Sequence, residues 1–331
     1  MENNFTNRPQ NLDEYIGQDL LKEKLRIYIG AALQRNESLD HVLLFGPPGL
    51  GKTTLARVIA NELGSDLHFI SGPTIEKPGD LATVLSELKP LDVLFIDEIH
   101  RLPKVVEESL YSAMEDFVFN VLINNEYVGK SISIHLPPFT LIGATTKPGL
   151  LSYALRTRFG ISERINFYNE EEISIIIDKN TKNFNLSISK EASLDIAKRS
   201  RGTPRIALKY FRRIRDFANY NNKKKIELND VIKMFNLLNV DSIGLDLIDL
   251  NYIKTIIFRF NGGPVGIETI SNCIGEEVIN LEDVYEPYLL KIGFIEKTNK
   301  GRMVKKAAYE YLNIKKKKWK LLLKISDFYL I

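Results

Sequence analysis

Apolar runs alternate with amphipathic segments along the first half of the chain. The runs at residues 42–45, 92–100 and 139–146 are short and mostly apolar, as strands buried on both faces of a sheet are. Between them, apolar residues recur at the three- and four-residue spacing of helices. This alternation predicts an α/β domain with a parallel sheet flanked by helices. The helices are predicted at residues 21–33, from Lys52 onwards, at 81–88 and at 107–116.

A different pattern interrupts the alternation at residues 118–136. Two β-type segments flank a turn-rich stretch at 124–126, which predicts an inserted β-hairpin. Such a hairpin is either an extra edge ribbon or a projection that docks a partner or touches the substrate. Apolar residues towards its tip favour docking.

From Tyr168 onwards the pattern indicates helices only. The predicted helices form a small all-α domain and span residues 170–183, 190–200, 204–219 and 228–238.

A polar link at 241–246 leads into a third predicted unit. Three helices, at 250–260, 267–274 and 281–292, precede a hairpin that turns at 299–301, and this order predicts a winged helix. The predicted domains are an α/β core at 1–167, a helical domain at 168–242, a winged helix at 243–312 and a basic tail at 313–331.

Composition is that of an ordinary globular protein, with 44% hydrophobic and 26% charged residues. The net charge is only +3, but from Lys291 to the last residue twelve Lys or Arg face three Asp or Glu, which favours a polyanion such as nucleic acid. The single cysteine, Cys273, excludes an internal disulfide, and its isoleucine neighbours predict a buried structural thiol. No apolar run is long enough to span a membrane, and residues 1–9 are polar, so we expect a cytoplasmic protein.

Residues 46–53 carry the phosphate-binding pattern Gly-x-x-x-x-Gly-Lys-Thr between a predicted strand and a predicted helix. Glycines allow backbone N–H groups to approach phosphates, and the N-terminus of a helix favours an anion. Lys52 is placed to reach the β- and γ-phosphates, and the Thr53 hydroxyl is placed to bind Mg²⁺. The pattern predicts a nucleoside triphosphate site.

Two acids, Asp97 and Glu98, end the apolar run at 92–100. The carboxyl ends of parallel strands meet the ligand crevice. There Asp97 is placed to hold the water shell of Mg²⁺ and Glu98 to polarise the attacking water. The pair predicts that the nucleotide is hydrolysed.

Hydroxyls and arginines further along the chain are candidates for sensing a γ-phosphate. Thr145 and Thr146 end a predicted strand, and Arg205 opens a predicted helix after Pro204. Arg156 and Arg158 have no obvious partner in their own site. They therefore either reach a neighbouring subunit's nucleotide or form a surface salt bridge.

Two other features receive structural interpretations, and a third leaves two possible partners open. His41 is interpreted as a structural hydrogen-bonding residue, and the basic run at 212–215 as a solvated helix face. Lys297, Lys300 and Arg302 lie on the predicted wing, where they would meet DNA phosphates. Winged helices also bind proteins, and the basic charge here favours DNA.

These motifs together resemble the RuvB family of Holliday-junction branch-migration motors, which are ring-forming AAA+ ATPases. The resemblance covers residues 8–312, about nine-tenths of the chain. It is carried by LDH at 39–41 with GPPGLGKTT at 46–54, DEIHRL at 97–102, Tyr111 with AMED at 113–116, RGTPRIA at 201–207 and GGPVG at 262–266.

The resemblance implies a set of residues that contact ATP or ADP. Among them, Thr146 would be the first sensor, with Thr145 as the fallback, and Arg205 the second sensor. Arg158 would be an arginine finger acting in trans, and residues 115–117 would lie at a subunit interface. The full set is Asn7, Arg8, Gly49, Lys52, Thr53, Thr54, Glu115, Asp116, Phe117, Thr146, Arg158, Tyr168 and Arg205.

The resemblance also implies cofactors and partners. Mg²⁺ would be held by Thr53 and Asp97, and the motor would be a homohexameric ring acting on four-way DNA junctions. The 118–136 hairpin would dock the junction-binding protein RuvA, and a RuvC-like resolvase is a further candidate partner. Lys297 and Arg302 match positions that contact DNA in the family.

The sequence departs from the family pattern at several positions. Val278 stands where a basic residue is common, which puts that DNA contact in question. Lysine replaces arginine at Lys297 and Lys300, which keeps the charge but loses the planar fork. Residues after Leu312 exceed the pattern and have no assigned role.

Other functional classes share part of this pattern. A clamp-loader-like ATPase switch has the same core but does not predict a fused winged helix. A non-enzymatic DNA-binding module does not need Glu98 beside Asp97, and a protein-unfolding AAA+ needs an aromatic-glycine pore loop that is not evident. The preferred hypothesis is an ATP-driven DNA translocase.

Overall fold

The structure, a computed structural model, describes residues 8–125 and 128–314, with only the backbone for residues 121–131 inside those ranges. Asn7, the expected apolar tip of the hairpin and residues 315–331 of the basic tail lie outside this description. The chain forms two compact units that divide between Glu227 and Leu228.

The strands of the first unit occur where the sequence is apolar or alternating. Three strands of the central parallel sheet, Val42–Phe45, Val93–Asp97 and Thr140–Thr145, were predicted, and so was the hairpin. The strands Leu67–Ser71 and Ile161–Arg164 were not predicted, because polar residues interrupt their apolar pattern. In chain order the strands are β1 Val42–Phe45, β2 Leu67–Ser71, β3 Val93–Asp97, β4 Val118–Asn125, β5 Val128–His135, β6 Thr140–Thr145, β7 Ile161–Arg164, β8 Ser187–Ile188 and β9 Lys225–Ile226.

A parallel sheet in the order β2-β3-β6-β1-β7 is the centre of this unit. The chain leaves β1 and crosses β6 and β3 to reach β2, so the strand order reverses beside β1. In open α/β sheets the ligand lies at the carboxyl ends of the strands near such a reversal. The sheet therefore places the 46–53 loop, which follows β1, at the expected binding edge.

The first five helices alternate with the strands of the sheet, and three further helices follow the last strand of the sheet. Most of them begin within about three residues of the predicted positions. The helices of this unit are α1 Asp19–Arg35, α2 Lys52–Leu63, α3 Pro78–Ser86, α4 Lys104–Glu115, α5 Tyr153–Thr157, α6 Glu170–Thr181, α7 Lys190–Arg199 and α8 Pro204–Tyr220.

The core is built from the sheet and the helices packed on it. Every residue of β6 is buried, and Phe95 and Phe139 are completely buried. His41 lies in this core, where Leu141 N–H donates to its Nδ1 at 2.9 Å and its Nε2 lies 3.0 Å from the Met114 carbonyl oxygen. Burial lowers the pKa of His41. Its predicted structural role is confirmed.

The predicted hairpin is present. β4 and β5 pair in antiparallel register from Val118–His135 to Asn125–Val128. Phe119 is fully buried in the main core, so the base of the hairpin is anchored there.

The helices after Tyr168 are accompanied by a short parallel pair, β8 with β9. The prediction of helices alone was wrong here, because a two-residue strand leaves no periodic pattern in a sequence.

The second unit begins with α9 and contains the predicted three helices and hairpin. Its elements are α9 Leu228–Leu237, α10 Leu247–Phe260, α11 Ile267–Ile274, α12 Val278–Asn280, α13 Glu286–Lys291, β10 Ile295–Thr298, β11 Gly301–Val304 and α14 Lys306–Tyr311.

The third predicted helix differs in detail from the structure. One π-helical segment, Leu281–Tyr285, joins α12 to α13, so the helix starts earlier than expected and changes its winding. The wing is broader than a hairpin, because Val265 and Arg302 exchange two backbone hydrogen bonds of 3.0 and 2.8 Å. Tyr252, Leu281 and Leu289 are among the residues that fill the core of this unit.

Cys273 is half-buried, so the prediction of a buried thiol was wrong. It lies on the short helix α11, which has only Ile270 fully inside. Within the described ranges, none of the helices combines the length and the apolar character needed to cross a bilayer.

Candidate active site

The phosphate-binding loop connects β1 directly to α2. Helix α2 begins at Lys52, as predicted, with Gly51 in a left-handed conformation before it. The Lys52 ammonium donates to the carbonyl oxygens of Gly46 at 2.8 Å and Pro47 at 3.0 Å, so it lies folded over its own loop. Burial lowers the pKa of Lys52, while the carboxylates of Glu98 and Asp97 oppose that shift.

Thr53 and Asp97 face each other across the loop and the end of β3. The Thr53 hydroxyl donates to Asp97 Oδ2 at 3.4 Å. A hydroxyl and a carboxylate at this spacing suit Mg²⁺, which binds few protein oxygens and completes its shell with water and phosphate. The donor set therefore fits the predicted ion.

Glu98 adopts a backbone conformation that is uncommon for its residue type. Its φ is +51°, and its N–H donates to Asp97 Oδ1 at 3.0 Å. A left-handed non-glycine residue directly after a buried strand is held by its surroundings, and such residues concentrate at functional sites. The turn leaves the Glu98 side chain one-third exposed, with an exposed fraction of 33%.

Thr145, the last residue of β6, and Thr146, which follows it, have different environments. Thr146 lines the cavity described below, and its hydroxyl donates to Glu98 Oε2 at 3.3 Å. Thr145 is fully buried, and its hydroxyl oxygen lies 2.9 Å from His100 Nδ1. The geometry therefore favours Thr146 over Thr145 as the first sensor.

The helical domain contacts the phosphate-binding loop at the start of α8. The Arg205 N–H donates to the Gly49 carbonyl oxygen at 3.3 Å. A Cβ on Gly49 would lie 2.9 Å from both Arg205 Cβ and Thr203 Cγ2, and Gly49 has φ +79°. Only glycine satisfies both conditions without a shift of its neighbours.

Two buried tyrosines support the other side of the loop. The Tyr168 hydroxyl lies 3.2 Å from the Leu50 carbonyl oxygen and 3.0 Å from the Tyr15 hydroxyl. Burial raises the pKa of Tyr168 to about 12, so both phenols stay neutral and act as hydrogen-bonding groups.

These groups surround one cavity of about 840 Å³. It lies at the carboxyl ends of β1, β3 and β6, and the helical domain lines its other side. The predicted nucleotide residues found on its wall are Arg8, Gly49, Lys52, Thr53, Thr54, Asp97, Glu98, Thr146, Tyr168 and Arg205.

The cavity wall also contains residues that the sequence did not single out. Tyr15 and Ile16 come from the segment before α1, and Lys179 comes from α6. In the basic run 212–215, the Arg215 side chain is only 15% exposed and lies over the Phe184 ring, so the interpretation as a solvated face was wrong for it. Arg212 is exposed, as that interpretation expects, and it also lines the cavity. No motif marks these positions, because each reaches the cavity only through the fold.

Four predicted nucleotide residues, Glu115, Asp116, Phe117 and Arg158, are absent from this wall. The Arg158 guanidinium donates to Glu115 Oε2 at 3.1 Å and to the Ala154 carbonyl oxygen at 2.7 Å, and lies 4.3 Å from the centre of the Tyr111 ring. Arg158 therefore has no partner in the cavity of its own chain, as expected, and it forms a salt bridge, which was the alternative interpretation. Its role in trans stays a prediction.

The wing carries the three predicted DNA-binding residues in different environments. Lys300 is exposed at the turn, and the Lys297 side chain is 43% exposed. Arg302 is only 14% exposed, and its guanidinium donates to Glu286 at 2.9 Å and to Glu282 at 2.6 Å. Arg302 is thus held by two carboxylates of the preceding helix.

Glu286 is the buried centre of this wing cluster. It is fully buried and accepts hydrogen bonds from Tyr252, Arg302 and Lys297. Burial alone would raise the pKa of Glu286, but the bonds from Arg302 and Lys297 outweigh it and lower that pKa. The carboxylate therefore stays charged and fixes the wing to the helix.

A phosphate loop at the edge of a parallel sheet, an acid pair on the adjoining strand and an arginine from a following helical domain define a P-loop ATPase of the AAA+ class. Three family models match in succession: the Holliday junction DNA helicase RuvB P-loop domain at residues 7–165, the RuvB AAA lid domain at 168–241 and the RuvB C-terminal winged helix domain at 242–313. The chain belongs to the RuvB family.

Individual relatives agree with this assignment. The Holliday junction branch migration complex subunit RuvB of Limosilactobacillus reuteri is 55% identical over 310 residues, which are 94% of this chain and 92% of that protein. The subunit of the same name from Acholeplasma laidlawii is 54% identical over 93% of this chain and 91% of its own length. The structure of the Thermotoga maritima RuvB Holliday junction branch migration motor superposes with a TM-score of 0.84 at 48% identity, covering 93% of this chain and 98% of that one.

Proposed function

We propose that this protein is an ATP-driven DNA translocase that moves Holliday junctions during recombination and DNA repair. The observation that carries the proposal is the convergence of Lys52, Glu98 and Arg205 on one cavity, from the phosphate loop, the acid-bearing strand and the helical domain. The proposal includes the domain limits 1–167, 168–242 and 243–312, a homohexameric ring and a cytoplasmic location.

Hydrolysis would use the groups already in place around the cavity. Lys52 would leave its loop carbonyls and bind the β- and γ-phosphates, and Glu98 would orient and polarise the attacking water. Bound Mg²⁺, held by Thr53 and Asp97, would supply positive charge to the phosphates. Thr146 and Arg205 would contact the γ-phosphate, and Arg158 of a neighbouring subunit would stabilise charge in the transition state.

Nucleotide state would be transmitted through the helical domain. Arg205 belongs to the helix whose first N–H binds the Gly49 carbonyl, so a change at the γ-phosphate acts directly on the start of α8. Motion of the helical domain would then act on DNA held by the winged helix. Lys300 is exposed at the turn and would contact phosphate. Lys297 is 43% exposed and would contact phosphate while its ammonium stays paired with Glu286, and the acid pairing and burial of Arg302 favour a supporting role for it.

Partners follow from the same proposal. The hairpin β4–β5 stands apart from the cavity and would dock a RuvA-like junction-binding protein, while a RuvC-like resolvase would act on the same junction. The hairpin's anchored base, with Phe119 in the core, supports a fixed projection.

The test is ATP-dependent dissociation of a synthetic four-way DNA junction, with and without a RuvA-like partner. We expect movement that requires ATP and is lost in Glu98→Gln, which should still bind ATP because the loop and Lys52 are intact. Near-normal turnover in Glu98→Gln would remove Glu98 from the mechanism. ATP hydrolysis without junction movement, even with the partner, would favour a DNA-bound ATPase switch.

A further inference from the structure

His100 lies between the proposed general base and the end of strand β6. Its Nδ1 is 3.2 Å from Glu98 Oε2 and 2.9 Å from the Thr145 hydroxyl oxygen. The imidazole is largely enclosed, with a side-chain exposure of 7%. One ring nitrogen therefore faces both the catalytic carboxylate and the strand that also carries the first sensor.

The groups around Nδ1 of His100 determine which tautomer of the imidazole can interact favourably with Glu98. Thr145 Oγ1 already accepts the Lys147 N–H at 3.0 Å, so Thr145 is fixed in place by its own chain. An ionised Glu98 carboxylate can only accept hydrogen bonds. A protonated Nδ1 is then attracted to Glu98 Oε2, whereas an unprotonated Nδ1 would turn a lone pair towards the carboxylate.

The two oxygens of Glu98 have different surroundings. Oε2 receives the Thr146 hydroxyl at 3.3 Å and faces His100 at 3.2 Å. Among the residues that the structure describes, no side chain or backbone group bonds Oε1. Holding Oε2 on both sides leaves Oε1 to accept a proton or a hydrogen bond from water.

We propose that His100 is a positioning residue for ATP hydrolysis. Its Nδ1–H would be shared between Thr145 Oγ1 at 2.9 Å and Glu98 Oε2 at 3.2 Å, so that Thr145 orients the ring and the ring holds the carboxylate. The proposal rests on the proposed role of Glu98 as general base. Because Thr145 adjoins Thr146, the same strand end that contacts the γ-phosphate also fixes the orientation of the base. The chemistry requires a hydrogen-bond donor at the position of Nδ1.

The first test compares His100→Leu with His100→Asn, because an asparagine amide can place an N–H near the position of Nδ1 and leucine cannot. For His100→Leu, we expect kcat of the ATPase to fall at least about tenfold, the loss typical of a removed hydrogen bond to a charged group. KM for ATP and the affinity for a fluorescent ADP analogue should stay within about twofold, since phosphate contacts are unchanged. His100→Asn should retain most of the wild-type kcat.

Several results would overturn the proposal. A wild-type or increased kcat in His100→Leu would show that the imidazole does not hold Glu98 in a productive position. Equal losses in the leucine and asparagine variants, or a loss confined to nucleotide affinity, would indicate a packing role instead.

A second variant keeps the proposal testable if His100→Leu does not fold. Thr145→Val leaves the imidazole in place but removes its hydroxyl partner, and we expect a smaller fall in kcat with unchanged nucleotide affinity. An unchanged kcat in Thr145→Val would contradict the orienting contact. Glu98→Gln is measured in parallel: if it retains turnover, the proposed general base is wrong, and if it alone loses turnover, only the role of His100 is wrong.

Discussion

Gly49 shows how much a single backbone position can control in this site. Its carbonyl oxygen binds the first N–H of α8, and its missing side chain leaves room for Thr203 and Arg205. The residue is therefore needed both for the turn of the phosphate loop and for close approach of the helical domain.

Gly49→Ala should weaken ATP binding and lower kcat/KM by at least about tenfold, because a misplaced sensor loses transition-state contacts. The matched control is Gly64→Ala, since Gly64 also has a positive φ of +67° but has no atoms within 4 Å of a built Cβ. The control should lose about 1 kcal/mol of stability from backbone strain alone and keep its KM. Steady-state ATPase kinetics and thermal unfolding measure both effects, and equal kinetic losses in the two variants would assign the effect to strain.

At this scale the sequence predicted residues whose chemistry depends on local spacing. Lys52, Thr53, Asp97 and Glu98 are all on the cavity wall, because a strand end and a helix start fix them directly. His100 and Tyr15 were missed as site residues because their partners, Thr145 and Tyr168, lie 45 and 153 positions away along the chain.

The charged residues of the wing form one cluster with the preceding helix. Glu282 in the π-helical segment and Glu286 at the start of α13 lie near the hairpin, where they contact Lys297 and Arg302. Two carboxylates therefore neutralise two of the cations expected to meet DNA. Glu286 is buried and structural, whereas Glu282 is 41% exposed and competes with phosphate for the same cations.

Glu282→Gln should tighten binding to duplex DNA by roughly two- to fivefold at low salt, because an exposed competing charge is removed. The gain should shrink as salt rises and screens the wing. Glu277→Gln is the control, because this substitution removes the same charge at an exposed position of the same region. Fluorescence anisotropy across a salt series measures the affinity, and equal gains in both variants would point to net charge instead of the wing contact.

The predicted and observed boundaries of an element agree best where a hydrophobic repeat extends over many residues. The 17 residues of α8 give many turns of apolar spacing and were predicted almost to the residue. The β8–β9 pair has two residues per strand, and the π-helical turn shifts the register by one residue, so neither leaves a pattern that a short window can detect.

For the whole molecule, the position of Arg158 bears on assembly. Its guanidinium rests on Tyr111 and pairs with Glu115, away from the cavity of its own chain. The Glu115 side chain is 55% exposed and the Arg158 side chain 20%, so the carboxylate is the solvent-exposed partner of this pair and can be exchanged for a stronger anion. A neighbouring subunit's γ-phosphate would be such an anion.

Arg158→Ala should lose most ATPase activity but bind nucleotide, and mixing it with Lys52→Ala subunits should restore part of the activity. In a mixed ring, an Arg158→Ala subunit supplies an intact phosphate loop, and its Lys52→Ala neighbour supplies the arginine. Arg156→Ala, at the exposed neighbouring arginine, should behave like wild type. ATPase assays at a series of mixing ratios of the two variants measure this recovery. No recovery of activity at any ratio would argue against an arginine that acts in trans.

The hydrogen bond between Arg205 and Gly49 joins the start of α8 to the phosphate-binding loop, so any rotation at that end is amplified along the helix. The helix has 17 residues and is therefore about 25 Å long at 1.5 Å per residue. A rotation of about 10° at its bound end would carry Tyr220, at the other end, through about 4 Å, slightly more than the 3.4 Å rise of one DNA base pair. A small rotation at the phosphate-binding loop would thus become, at the far end of α8, a displacement of about the length of one DNA base-pair step.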